Sequence, residues 1–97
     1  MDKMIYLNDL YDIYKEMFTE KQQEYYEAYY YDNLSLSEIA DNSNVSRNAV
    51  HNQLKLIEKK LYELESKLKI DEKTKKVLEI IEKKVDKKIV EEIKRII

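Results

Sequence analysis

Hydrophobic residues recur along this chain every three or four positions, the period of helices with one buried face. Residues 4 to 18 align Met4, Leu7, Tyr11, Tyr14 and Phe18 on a seam, leave Asp9, Asp12 and Glu16 off it, and predict a first helix. Thr19, with Gln22 three positions on, has capping-box spacing and opens a second helix that carries Tyr25, Tyr26, Tyr29, Tyr30 and Tyr31. Five tyrosines so closely spaced cannot share one face. Tyr26 and Tyr30 are expected to pack inward, and the others to stay half exposed with their hydroxyls in water. A base-stacking platform is the weaker reading, because Glu24, Glu27 and Asp32 around them would repel phosphate.

Between Leu34 and Leu54 two helix starts follow each other. Ser35 and Glu38 form a capping box, with Leu34 and Ile39 at staple spacing; Ser46 caps again, with Val45 and Val50 repeating that spacing. The chain must turn sharply through Asn42-Ser43-Asn44, and Asn44 stands where such a turn takes a left-handed residue. Small Ala40 permits close approach of the two helices, over a small core of Ile39, Val45, Val50 and Leu54. This is the pattern of a helix-turn-helix. A helical corner with no binding role would show the same spacing. The residues left over decide between them: Ser46, Arg47, Asn48, His51, Asn52 and Lys55 gather at the start of the second motif helix, where recognition helices present side chains to base edges. Arg suits guanine, Asn suits adenine, and Lys55 is placed to reach a phosphate.

Nothing stops that helix before Ile70-Asp71, and Val50, Leu54, Ile57, Leu61, Leu64 and Leu68 continue its seam at alternating spacings of four and three. The second half of the seam is expected to project past the motif and to need another partner. Glu63 with Lys67 and Glu65 with Lys69 are spaced as surface ion pairs. Residues 71 to 97 carry a broad stripe from Val77 to Ile97, with Asp86 able to cap a new helix, so one helix or two is open. The expected organisation is a helix-turn-helix domain over residues 1–70 and a helical extension over 71–97 that packs on residues 57–68 or on a second chain. The second alternative predicts a homodimer through Leu61, Leu64, Leu68, Leu78, Ile81, Val85 and Ile89.

Composition narrows the class. The 97 residues include no Gly, Pro or Cys, which favours an all-α fold and excludes disulfides, thiolate catalysis and sulfur-ligated metals. His51 is the only histidine, and Ser35 and Ser46 are accounted for as caps, so neither an enzyme nor a metal or other cofactor is expected. No apolar run is long enough for membrane insertion and no signal peptide opens the sequence, so a cytoplasmic location is expected. The net charge of −2 is unevenly divided: residues 1–54 hold 4 Lys/Arg against 10 Asp/Glu, residues 55–97 hold 14 against 10. An acidic half around the candidate recognition helix opposes nonspecific DNA binding, so affinity must come from a local patch, from dimerisation or from the basic half.

Thr19-Glu20-Lys21-Gln22, Tyr29-Tyr30, Leu34-Ser35-Leu36-Ser37-Glu38-Ile39-Ala40, Val45-Ser46-Arg47-Asn48-Ala49-Val50 and Glu65-Ser66-Lys67-Leu68 together resemble the YlxM family of small bacterial proteins. The motif is also similar, more distantly, to region 4 of bacterial sigma factors. The resemblance implies an all-α helix-turn-helix protein. It also implies a regulatory role linked to the signal recognition particle, whose genes neighbour those of the family. The chain departs from the family's pattern at Gln23 and Leu56, where members often carry Arg. The expected partner is nucleic acid, DNA ahead of RNA. The alternative is a protein-interaction subunit that binds the particle's protein or RNA component without binding DNA.

Overall fold

A computed structural model describes residues 2–97, and among the described residues it has six α-helices and no strand. α1 (Lys3–Tyr14) ends in a single 3-10 turn at Lys15–Met17; α2 (Glu20–Tyr30), α3 (Leu36–Ser43), α4 (Arg47–Leu68), α5 (Ile70–Lys84) and α6 (Lys87–Lys94) follow. Local chemistry sets the starts. The Asp2 carboxylate accepts from the Met4 amide, full capping boxes join Thr19 to Gln22 and Ser35 to Glu38, the Ser46 hydroxyl accepts from the Ala49 amide, and Asp86 caps α6. With no glycine in the chain, the left-handed corners fall to Asn33 (φ 57°), Asn44 (φ 56°) and Lys69 (φ 54°). Asn tolerates this conformation; at Lys69 it costs about 1 kcal/mol.

α4 is the spine, packed against α1, α2, α3 and α5. Its Val50, Leu54, Ile57 and Leu61 are buried among Leu7, Leu10, Tyr11, Tyr14 and Phe18 of the N-terminal segment, Tyr25 and Tyr26 of α2, and Ile39 and Ala40 of α3. The second half of the seam therefore finds its partner within the chain. Leu61 is fully buried and Leu64 half-buried against this core, so a second chain cannot reach Leu61. Leu68 is 47% exposed. The inner face of α1 is Leu7, Leu10, Tyr11 and Tyr14, while Met4 on the first turn is exposed. Val45 is also exposed, because it leaves the left-handed corner at the rim of the motif.

The tyrosines are more inward than expected. Tyr25 and Tyr26 are both buried, and Tyr26 stacks on Tyr11 with ring centroids 4.0 Å apart. The Tyr31 hydroxyl, expected in water, and those of Tyr11, Tyr26 and Tyr30 go to acidic and amide side chains. Tyr11 donates to Glu27 (2.7 Å), Tyr26 to Asn8 (2.7 Å), Tyr31 to Asp12 (3.0 Å) and Tyr30 to Glu58.

Glu65 is the largest departure from the pattern. It is buried, not paired with Lys69 at the surface: it accepts from the Tyr14 hydroxyl (2.7 Å) and from the amides of Asp71 (3.1 Å) and Glu72 (3.0 Å). A side chain of α4 thus caps α5, which has no cap of its own, and ties both to α1. Lys75 completes the corner, reaching Asp71 (3.0 Å) and Asp9 (3.2 Å). The extension is two helices. α5 leans on α1 and the end of α4, α6 packs on α5, and the molecule measures 52 × 25 × 24 Å.

Two outcomes test this account. Glu65→Ala should cost about 2–4 kcal/mol, through the missing cap and the unpartnered Tyr14 hydroxyl. The Asp71 and Glu72 amides should also exchange with solvent faster; a denaturation midpoint unchanged from the native protein would show that the corner is held otherwise. The second outcome is alkaline unfolding. Burial, and then the bond to Glu65, push the Tyr14 hydroxyl up to about 12; burial and the bond to Asp12 do the same for Tyr31, and Tyr11, Tyr26 and Tyr30 are also raised. A tyrosine raised in the folded state contributes stability that is complete below the unfolded value of about 10 and is lost as pH climbs through the folded value. Stability should therefore fall steeply between those limits. Tyrosinate absorbance titrating entirely near 10 in the folded protein would contradict it.

Candidate nucleic-acid interface

The motif is assembled by α3 and α4. The Ser35 capping box starts α3, and after its eight residues Asn44 turns left-handed, its amide reaching the carbonyls of Ala40 and Asp41. The Val45 amide then bonds the Ala40 carbonyl (3.1 Å), and Ser46 caps α4 immediately afterwards. Ala40 and Ile39 are buried against Val50 and Leu54, which fixes the angle at which α4 leaves the turn. The opposite face of α4 is left free.

That face carries the residues singled out from the sequence. Ser46, Arg47, Asn48, His51, Asn52 and Lys55 are all exposed, whereas Val50 and Leu54 between them are buried. Among the described residues Arg47 enters no ion pair, so its guanidinium is free for a ligand. Lys55 lies 3.9 Å from Glu58, a carboxylate that also meets Lys3 at 3.5 Å and accepts from Tyr30. Its charge is therefore partly offset. His51 sits over a small hollow with Tyr29, Leu36 and Glu58.

The first turn of α4 contains no acid, whereas those of α2, α3 and α5 hold Glu20, Glu38, and Asp71 with Glu72. The partial positive charge of this helix end is thus left uncompensated, and it adds to that of Arg47. An anionic group approaching Arg47 and Asn48 meets the favourable end of the dipole.

Lys21 was not singled out from the sequence. The start of α2 brings it to the motif corner, where it reaches the Ser43 hydroxyl (3.3 Å) and Glu24 (3.3 Å). It lines a cleft with Thr19, Gln22, Tyr25 and Asn52. Nothing in the spacing links residue 21 to residue 52, because the cleft exists only once α2 packs on α4. The two departures from the family pattern also find places. The Gln23 amide donates to the carbonyls of Lys15 and Phe18 (both 3.1 Å), closing the turn after α1, and Leu56 is an exposed apolar residue on α4.

The residues expected at a dimer interface are dispersed. Leu61 and Leu64 belong to the core or its edge, Leu78 and Ile81 are half-buried, and Leu68, Val85 and Ile89 are exposed. Among the described residues no His/Cys/Asp/Glu cluster could hold a metal, and no helix is long and apolar enough to cross a membrane.

The chain is similar to UPF0122 proteins from several bacteria. A relative from Mycoplasma capricolum is 41% identical over 83 residues, covering 86% of this chain and 74% of the relative. One from Halalkalibacterium halodurans is 40% identical over 95 residues, 95% of this chain and 87% of the relative. One from Fusobacterium nucleatum is 39% identical over 87 residues, 89% and 84% respectively. The pattern of the family described as helix-turn-helix proteins, YlxM / p13 like, matches residues 1–96, so it runs through α5 and α6 as well as the motif. The chain belongs to the UPF0122 family of YlxM-like helix-turn-helix proteins.

Proposed function

We propose that this protein is a nucleic-acid-binding regulatory protein that reads its target with the first three turns of α4. One observation carries the reading: a free face of Arg47, Asn48, His51 and Asn52 on the acid-free start of the motif's second helix. These side chains have the donors and acceptors that base edges require, and the core needs none of them. Duplex DNA is preferred over RNA, since an α-helix fits the B-form major groove and the A-form one is too narrow. Lys55, and Lys21 at the neighbouring corner, serve as phosphate contacts. With few such contacts and an acidic N-terminal half, affinity depends on base reading more than on charge.

The resemblance to the YlxM family supports a role in the signal recognition particle pathway of the cytoplasm, without catalysis or cofactor. A second reading, a protein-interaction subunit of that particle that leaves DNA alone, is favoured by Leu56, exposed beside Lys55, and by the exposed Glu38 and Asp41 on α3. Those two carboxylates would repel a phosphate backbone but not a basic protein surface. Recovering the protein from its own cells with bound nucleic acid and protein identified together separates the two. Particle components without any DNA would select the second.

Changing Arg47 and Asn52 to Ala should leave the melting temperature unmoved, because both are exposed. Affinity for selected duplexes should fall by about 1–3 kcal/mol for each base that no longer has its side-chain partner. Binding that survives the double change, or a melting point that collapses with it, would remove α4 from the role of reader.

A further inference from the structure

Two ammonium groups converge on one oxygen of Glu58. Lys3 lies 3.5 Å and Lys55 3.9 Å from its Oε2, while Oε1 accepts from the Tyr30 hydroxyl. The members of this cluster differ in freedom. The lysine side chains are 61% and 60% exposed, whereas that of Glu58 is only 13% exposed. Tyr30, half-buried on α2, holds the carboxylate from behind, so Glu58 keeps a hydrogen-bond partner when the lysines leave. The lysines in turn give up little, because ion pairs of exposed side chains are weak and screened by salt. Lys55 and then Glu58 follow His51 along one flank of α4, at spacings of four and three, and Lys3 reaches that flank from the start of α1. The cluster therefore continues the edge of the reading face.

We propose that Lys3 and Lys55 form a joint site for one backbone phosphate of bound duplex DNA, whose place the Glu58 carboxylate takes in the free protein. The inference rests on α4 as the reader, and it adds Lys3, on a helix outside the motif, to the interface. Once α4 lies in the groove, both lysines turn from Glu58 to the strand that borders this flank, and Glu58 stays behind with Tyr30. The phosphate is the stronger competitor, because neutralising it releases counterions condensed on the duplex, a gain that the pairs with Glu58 lack. Free phosphate fits less well. Asp2 stands beside Lys3 in sequence, so Asp2 and Glu58 balance the two lysines and leave little net attraction for an ion in solution. A phosphate delivered by the docked helix arrives at high effective concentration and does not depend on that attraction. The site thus adds to the sequence-independent part of affinity, and Glu58 keeps the addition small.

Titration of a selected duplex with the full chain at several salt concentrations tests it. K3M and K55M should each lower affinity about three- to tenfold for every sequence alike, and make the salt dependence shallower by about one phosphate contact. E58Q keeps an oxygen for Tyr30 and should raise affinity by a similar factor, but only while the lysines are present; added to K3M/K55M it should change little. None of these changes should alter the discrimination between bases, and K3M should leave the melting temperature in place. A neutral methylphosphonate at the contacted position should weaken binding of the native chain and not of K3M/K55M, which distinguishes a backbone site from one for free phosphate. Native affinity indifferent to K3M, an E58Q gain that persists in full without the lysines, or no phosphate whose neutralisation matters would each overturn the proposal and leave α4 as the reader. A melting temperature that falls with affinity in K3M would make Lys3 structural and overturn it too. A native chain that binds no duplex would remove the site and the reader together.

Discussion

Burial of one side of α4 is the constraint on which everything else rests. Val50, Leu54, Ile57 and Leu61 are each at or near complete burial, and each is worth roughly 1.5–3 kcal/mol. α1, α2 and α3 all pack on this one stripe. Because the stripe is continuous, the helix that forms the core is also the helix that carries the candidate reading face. Its polar side is held rigid by the packing behind it, which favours a reader over a flexible tail.

The acidic N-terminal half changes meaning in three dimensions. Asp12, Glu27 and Glu58 accept from tyrosine hydroxyls, and Glu58 also gathers Lys3 and Lys55. These carboxylates serve the packing of aromatic side chains, whose polar ends must find partners when they leave water. Lys3 and Lys55 offset the charge of Glu58, and Lys15 at 3.6 Å that of Glu27, whereas a neutral tyrosine hydroxyl leaves the charge of Asp12 in place. The charge of Lys55 is in turn weaker than its position suggests.

The same economy appears at the corner between α4 and α5. A left-handed Lys69, an uncapped helix start and a buried carboxylate would each be costly alone. Together they satisfy one another: Glu65 caps α5 and receives Tyr14, and among the described residues no buried side-chain polar atom lacks a partner. That corner turns α5 back onto α1 and gives the extension its attachment, while the far side of α6 is left in solvent.

The sequence by itself determined whatever depends on neighbours along the chain. The caps at Thr19, Ser35, Ser46 and Asp86, the left-handed Asn44 and the seam of α4 were legible because each rests on residues within about one helical turn. The face of Arg47, Asn48, His51 and Asn52 was legible for the same reason, as the remainder once Val50 and Leu54 are assigned inward. Only the tertiary structure decided what periodicity cannot carry. It turned Leu61 to α1 rather than to a second chain, buried Glu65 against Tyr14 at a separation of 51 residues, and brought Lys21 to the cleft beside Asn52. A helical period states which side of a helix is apolar; which helix covers that side follows from all of them competing for the same surface.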